Sequence, residues 1–263
     1  MATEYEYLIH PTALVDPQAQ LAAGVKVGAF SLIGPGVVIG VGSVVESHVV
    51  IKGPTCIGSN NHIFQFSSVG ETCQDLKYQG EPTTLKIGDN NIIREGCTLH
   101  RGTVQGAGVT RIGSYNLLMA NVHVAHDCVV GNHVIIANNA ALAGHVRISD
   151  YAILGGFTAV HQFCYLGAYC MTGVGSVVIQ DVPAFVLASG NTVKPHGMNM
   201  EGLRRHGFTA DVLTALRQAY KVVYRQSLTL EMALEKLNMM ATEVIEIQLL
   251  IDSIEASTRG IIR

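Results

Sequence analysis

Residues 24–51 read GVKVGAFSLIGPGVVIGVGSVVESHVVI, and within them Val27, Ile33, Ile39, Val45 and Ile51 fall six apart. Carried outward, the same step lands on Ile9, Val15 and Leu21 on one side and on Ile57, Ile63 and Val69 on the other. The phase resumes at Ile87, Ile93 and Leu99, then shifts by one residue. It continues through Ile112, Leu118, Val124, Val130, Ile136, Leu142, Ile148, Leu154, Val160 and Leu166, with Thr172 the single polar member before Val178. Aliphatic residues thus fill 25 of 26 positions. A helix repeats at about 3.6 residues and a lone strand at about 2, so a period of six belongs to neither. It belongs to a parallel β-helix in which three hexapeptides make one triangular coil. Residues 18 apart in sequence then stack about 4.8 Å apart, one strand spacing.

The rest of the composition agrees with thin, regular coils. Glycine often follows the aliphatic residue, as at Gly34, Gly58, Gly88, Gly113 and Gly131, and a small residue usually sits four places after it. The chain has 28 glycines and no tryptophan. Residues 27–45 carry no charge, but five glycines and Pro35 interrupt them, so they are read as strands and not as a membrane helix. The first 11 residues hold two glutamates and no apolar core of a signal peptide. A net charge of −3 with 14% charged residues gives no nucleic-acid footprint. Of the six cysteines, Cys97, Cys128, Cys164 and Cys170 occupy the small-residue position, and with Cys56 and Cys73 they form no CxxC pair. They are read as buried fillers in a protein of the reducing cytoplasm.

Two stretches break the register, residues 70–86 and 100–111, and both are expected to leave the prism as loops. The period ends near Pro183. A mainly β domain over 1–190 is therefore expected, followed by an α-helical C-terminal domain over 191–263. In the latter Val212, Leu216, Ala219, Tyr220 and Val223 recur at helical spacing behind a Thr209 N-cap. Further helices are expected over residues 230–240 and 243–253. This tail holds 9 of the 17 Lys and Arg residues against 8 acidic ones, and its helices can cap the open end of the coil stack.

The 18-residue rule also gathers chemistry. It stacks His126 on Gly144 and then Gln162, Asp127 on His145, and Ala125 and Ala143 on His161. An imidazole beside a glycine N–H suits acyl transfer. The imidazole takes a proton from an attacking hydroxyl, and the N–H stabilises the oxyanion that forms. Asp127 can hold the histidine's tautomer. A zinc reading of the kind seen in γ-class carbonic anhydrases calls for histidines five apart, and no two of the 11 histidines are so spaced. No metal and no other cofactor is expected. An ice-binding solenoid would need a flat Thr-rich face, which is absent.

At these residues the sequence resembles the UDP-N-acetylglucosamine O-acyltransferases that begin lipid A synthesis in Gram-negative bacteria. The resemblance runs end to end. It includes Gln74-Asp75-Leu76-Lys77-Tyr78, His100-Arg101-Gly102-Thr103-Val104-Gln105-Gly106, Ala125-His126-Asp127, Leu142-Ala143-Gly144-His145-Val146, Val160-His161-Gln162-Phe163 and Glu201-Gly202-Leu203. It implies a left-handed winding, which the spacing alone does not give, and transfer of an (R)-3-hydroxyacyl chain from acyl carrier protein to the sugar 3-hydroxyl of UDP-N-acetylglucosamine. It further implies that His126 is the general base, Asp127 its orienting partner and the Gly144 N–H the oxyanion donor. Gln74, Asp75, Lys77, His100, His123, His145, His161 and Gln162 match positions lining the cleft, and Asn199, Glu201 and Arg205 match those receiving the nucleotide. The family works as a homotrimer with clefts between neighbouring prisms, and acidic carrier protein would find the basic tail a suitable dock.

The sister UDP-3-O-acylglucosamine N-acyltransferase is the alternative, but it carries an extra N-terminal uridine-binding domain, whereas the repeat here begins by Ile9. A short-chain acetyltransferase using acetyl-CoA shares the repeat without the loop motifs. Two departures stand out. His206 replaces an arginine that commonly follows Arg205 in relatives, and Val174 occupies a position where some relatives have glycine. Stacked on Gly156, Val174 is expected to shorten the acyl groove.

Overall fold

The computed structural model describes residues 8–263, so most of the segment on which the signal-peptide expectation rests, residues 1–7, lies outside the described residues. Among the described residues the strands form three sheets of nine, eight and ten members along the coil stack, parallel except where Lys194–Met198 pairs antiparallel with Val186–Ser189. The first face runs from Leu14–Val15 to Val177–Val178 and the second from Gln20–Leu21 to Tyr165–Leu166. The third runs from Lys26–Val27 to Met171–Thr172 and is extended by Val186–Ser189 and Lys194–Met198. Pairs such as Val124 with Leu142 and Leu142 with Val160 confirm the 18-residue stacking. Residues 27–45 are strands and corners, and no described helix is long and apolar enough to cross a membrane.

Each coil buries its aliphatic residues at the axis. Ile33, Ile63, Leu118, Leu142 and Leu154 are all at most 1% exposed. The polar exception, Thr172, is equally buried, and its hydroxyl bonds Thr158 Oγ1 at 2.8 Å. At the position four after the aliphatic residue, Asn61, Asn91 and Asn116 form an interior ladder. Asn61 Oδ1 accepts from Asn91 Nδ2 at 2.9 Å, Asn91 Oδ1 from the Asn116 N–H at 2.9 Å, and Asn116 Oδ1 from the Val134 N–H at 2.7 Å. Such amides tolerate burial because every polar atom is paired.

The chain turns 18-residue coils by placing the third residue after the aliphatic one in the left-handed region. Tyr115, Asp127, His145 and Tyr169 have φ of 61°, 59°, 62° and 57°. That conformation costs an L-residue roughly 1–2 kcal/mol, and rings stacking along a corner offset part of it. Tyr115, His133, Tyr151 and Tyr169 form one such column, with centroids 5.0, 4.7 and 4.7 Å apart.

Both insertions leave the prism at one corner, between the first and second faces. Ile87 pairs with Ile57, 30 residues back, and Ile112 with Ile87, 25 back, so they add 12 and 7 residues to an 18-residue coil. The loops are shorter than the broken periodicity implies, spanning residues 72–83 and 101–108. Strands Ser68–Glu71, Thr84–Ile87, Thr98–His100 and Val109–Ile112 keep their ladder bonds beyond the six-residue count. The stack likewise outlasts the period. Ala188 pairs with Thr172 only 16 residues back, a shortened coil that loses the count but keeps the ladder.

Four helices follow: α1 (Met200–Arg205), α2 (Ala210–Arg225), α3 (Leu230–Ala241) and α4 (Ile247–Glu255). α1 is too short to leave a periodic signal. The Thr209 side chain caps α2 by accepting from the Val212 N–H. Leu216, Leu237, Ile247 and Ile251 bury against Ala184 and Phe185, which closes the end of the prism. Asp181 fastens the tail. Fully buried, it accepts from the Tyr165 N–H at 2.7 Å, Ser257 Oγ at 2.7 Å, the Thr258 N–H at 3.0 Å and the Arg259 N–H at 3.1 Å. Asp181→Ala strands these donors and is expected to cost about 3 kcal/mol or more. Urea unfolding of the variant, with proteolysis from the C-terminus, checks this.

Candidate active site

The corner from which both loops emerge also carries His126 and Asp127, Gly144 and His145, and Gln162 and Phe163 on three successive coils. His126 and Gly144 hold the turn position two after the aliphatic residue, which Pro11, Pro17 and Pro35 occupy in earlier coils. A position that accepts proline spends no N–H on the solenoid. Its amide at Gly144 is therefore left for a ligand. The imidazole of His126 lies over Gly144, where an added Cβ would sit 2.6 Å from Nε2, so only glycine lets the ring approach the backbone this closely.

His126 Nδ1 lies 3.0 Å from Asp127 Oδ2. Asp127 is acceptor-only when ionised, so Nδ1 carries the proton and Nε2 presents its lone pair. The carboxylate side chain is 2% exposed. It also accepts from the Thr103 N–H at 3.0 and 3.1 Å and from Thr103 Oγ1 at 2.6 Å. His145 Nε2 stands 3.9 Å from Asp127 Oδ2, and its ring stacks on Phe163 at 4.5 Å. The donor atoms of His126, Asp127 and His145 lie within 4.8 Å of one another, a spacing a cation can bridge. The Thr103 donors and His126 already fill the carboxylate's near sites, so the set fits a hydrogen-bonded dyad better than a metal centre.

A cavity of about 540 Å³ opens beside His126, lined by Gln74, Asp75, His123, Ala125, Leu142 and Gln162 among others. Gln74 and Asp75 come from the first loop. Asp75 Oδ1 accepts the Lys77 N–H at 2.9 Å, while the Lys77 side chain is exposed and does not line the cavity. His100 is buried, its Nδ1 bonded to the Thr72 carbonyl at 2.6 Å, and its ring stands edge-on to His123 at 5.3 Å. Burial and the neighbouring His100 push His123 down to about 4, and burial chiefly lowers His145. His161 is exposed, its ring nitrogen 3.2 Å from the Gln162 carbonyl. Thiols Cys97, Cys128, Cys164 and Cys170 are buried and raised by that burial to about 11, 12, 11 and 12, which removes them as nucleophiles. A larger cavity, about 620 Å³, lies between α2 and Lys194–Met198 and brings no imidazole or carboxylate side chain together.

The residues expected to receive a nucleotide sit elsewhere. Asn199 caps α1, accepting from the Gly202 N–H at 3.1 Å and donating to the Tyr169 carbonyl at 3.1 Å. Glu201 is exposed and pairs with Arg204 at 3.3 Å and Arg205 at 3.5 Å. All three belong with the Tyr115–Tyr169 column, on the corner between the second and third faces. His206 stands edge-on to that column, 4.8 Å from Tyr151 and 5.5 Å from Tyr169. A single chain therefore does not bring this group to His126. Val174 lies on the remaining corner, 77% exposed, and the Gly175 N–H bonds the Gly156 carbonyl at 2.8 Å, which sets Val174 over Gly156. Thr103 and Gly106, which cover Asp127, lie in an insertion that the 18-residue rule does not reach, and Thr110, which holds the Asp127 N–H, lies one residue off that rule.

The comparisons place this geometry among known proteins. The profile of the family described as "Udp N-acetylglucosamine O-acyltransferase; Domain 2" matches residues 181–262, and that of "Bacterial transferase hexapeptide (six repeats)" matches 109–144. The chain is similar to the acyl-[acyl-carrier-protein]–UDP-N-acetylglucosamine O-acyltransferase of Saccharophagus degradans, 63% identical over 97% of this chain and 99% of that protein. It is similar in structure to LpxA from Acinetobacter baumannii (TM-score 0.96, 53% identity, 98% of this chain and 100% of that one). The UDP-N-acetylglucosamine O-acyltransferase of Moraxella catarrhalis superposes equally well (TM-score 0.96, 50% identity, 98% and 100% coverage).

The depressed His123 ties stability to pH. Between its ordinary value of 6.5 and about 4 the unfolded chain binds more protons than the folded one, so stability falls as pH falls through that window. Thermal unfolding from pH 7 to 4 is expected to show this decline, and His123→Asn to flatten it.

Proposed function

This chain belongs to the UDP-N-acetylglucosamine O-acyltransferases, and from that premise we infer how the His126 corner carries out the reaction. The reaction is transfer of an acyl chain from acyl carrier protein to a hydroxyl of UDP-N-acetylglucosamine, the first step of lipid A biosynthesis. The observation that carries the mechanism is the fixed imidazole. Nδ1 is held by Asp127 at 3.0 Å and the ring lies over the Gly144 backbone.

His126 Nε2 takes the proton of the sugar 3-hydroxyl as that oxygen attacks the acyl carbonyl of the carrier's thioester. The new C–O bond puts negative charge on the carbonyl oxygen, and the Gly144 N–H receives it, a contribution of about 3 kcal/mol for a well-placed donor. Collapse breaks the C–S bond, and the thiolate leaves with the proton returned from the imidazolium. Ion pairing with buried Asp127 stabilises that imidazolium while it exists. Burial lowers His123 to about 4 and also lowers His145, which disfavours competing positive charge beside the centre. Gln74, Asp75, His100, His123, His161 and Gln162 bind the sugar and acyl chain around this centre.

Asn199, Glu201 and Arg205 receive the nucleotide on another corner. A neighbouring chain must therefore bring them to the cleft, and the active species is a homotrimer. Light scattering on the active fraction checks this; activity in a monomer refutes the shared cleft. The basic side chains of the helical tail receive the acidic carrier protein, and the reducing cytoplasm, which suits six free thiols, is the site of action.

The first assay compares donors of graded length, each a 3-hydroxyacyl carrier protein, with UDP-N-acetylglucosamine as acceptor. Wild type is expected to form ester, and His126→Ala to lose about a thousandfold or more in kcat. Val174→Gly, removing the side chain over Gly156, is expected to shift the preferred donor to a longer chain. Full activity in the His126 variant discards the base. An unchanged chain preference in the Val174 variant discards the ruler.

A further inference from the structure

The loop at residues 101–108 has no part in the mechanism so far, yet its backbone closes over the catalytic carboxylate. We propose that Thr103 is a positioning residue for the His126–Asp127 pair and that the loop exists to deliver it. This deepens the reading of His126 as the base and rests on it.

Thr103 is 1% exposed. Its N–H reaches both Asp127 oxygens, at 3.1 Å to Oδ1 and 3.0 Å to Oδ2, and its hydroxyl donates to Oδ2 at 2.6 Å. Oδ2 is also the atom that accepts from His126 Nδ1. The Thr103 hydroxyl and the imidazole therefore compete for the same lone-pair density. Gly106 seals the arrangement: a Cβ there would overlap the Asp127 carboxylate, so glycine allows the loop backbone to lie directly on it. The Gly106 and Gly108 N–H groups both bond the Thr103 carbonyl, at 3.1 and 3.0 Å, which fixes the residue from its other side. Arg101, donating to the Gly53 carbonyl at 2.9 Å, anchors the start of the loop to the corner two coils earlier. The Asp127 N–H is held in turn by Thr110 Oγ1 at 2.8 Å.

Two consequences follow. The carboxylate cannot rotate, so the imidazole it holds keeps Nε2 over Gly144. The Thr103 hydroxyl also occupies a lone pair of the same Oδ2 that holds the Nδ1 proton. Without the Thr103 hydroxyl, Asp127 pulls harder on the Nδ1 proton and the imidazole binds a second proton at Nε2 more tightly. The base is then blocked at a higher pH. The other titratable groups around the pair are His145, whose ring centroid is 5.1 Å from that of His126, the buried thiols Cys73 and Cys128, and Asp75 and His123 across the cavity. None of these bonds Thr103, so its substitution leaves their contacts in place.

The test uses the full-length enzyme and measures kcat and KM against pH for Thr103→Val and Thr103→Ser beside wild type and His126→Ala. Valine is expected to lower kcat about tenfold, the worth of one charge-assisted hydrogen bond. It should leave KM for UDP-N-acetylglucosamine within about twofold and move the acid limb of kcat/KM to higher pH. Serine, which keeps the hydroxyl, is expected to restore both. Gly106→Ala, a second route to disturbing Asp127, should reproduce the kcat loss with KM held, which serves if the valine variant does not fold. A valine variant with an unmoved acid limb overturns the proposal, whether kcat falls or not. Persistent activity in His126→Ala overturns the underlying base assignment instead, a result that the Thr103 variants do not produce.

Discussion

Everything in this molecule depends on the closure of an 18-residue coil. Parallel strands must bring equivalent residues into register at one strand spacing, and three flat sides need three sharp corners. Two physical devices meet that need here. Aliphatic side chains fill the axis so tightly that Ile63, Leu118 and Leu154 have no exposed surface. Corner residues accept the left-handed conformation, and the stacked rings of Tyr115, His133, Tyr151 and Tyr169 repay part of its strain. Because position in sequence maps linearly onto position along the axis, a site can be built from residues 18 apart with no long-range folding problem to solve.

That linear map decides how much of the protein was legible. The axial aliphatics and the stacking of His126 on Gly144 follow from counting alone, and the strand pairings agree. What counting missed lies where the chain leaves the count. The shortened coil ending at Val186–Ser189 keeps its hydrogen bonds while dropping two residues, so its periodic trace vanishes before its structure does. The interruptions in the count are wider than the loops themselves, because flanking residues such as Thr84 and Val109 pair without obeying the six-step rule. Asp181 reads in sequence as an ordinary charge after the last repeat. Only the folded tail shows four donors converging on it.

The solenoid and the site divide the demands of catalysis between them. A corner position that tolerates proline in one coil leaves an N–H without a solenoid partner in another, so the Gly144 amide is a by-product of the fold that the chemistry can use. The imidazole needs more than the fold supplies. Its orientation requires a carboxylate in a turn conformation, with φ of 59° at Asp127, and that carboxylate must be shielded from water. The coil cannot shield it, since corner residues project outward. An insertion can, and the second loop does.

The same division bears on the proposed need for more than one chain. A prism exposes its three corners in three directions, so no single chain can aim two corners at one substrate. The His126 dyad occupies one corner, Asn199 with α1 another, and Val174 the third. With the roles proposed for these three corners, a substrate that touches all of them needs prisms side by side, where a corner of one meets a corner of the next. Rigid stacking of coils along the axis then acts on specificity. The height of Val174 over Gly156 is fixed by hydrogen bonds between coils, such as Gly175 N–H to the Gly156 carbonyl at 2.8 Å, and in the proposed role of this side chain that fixed height sets the limit on the acyl chain.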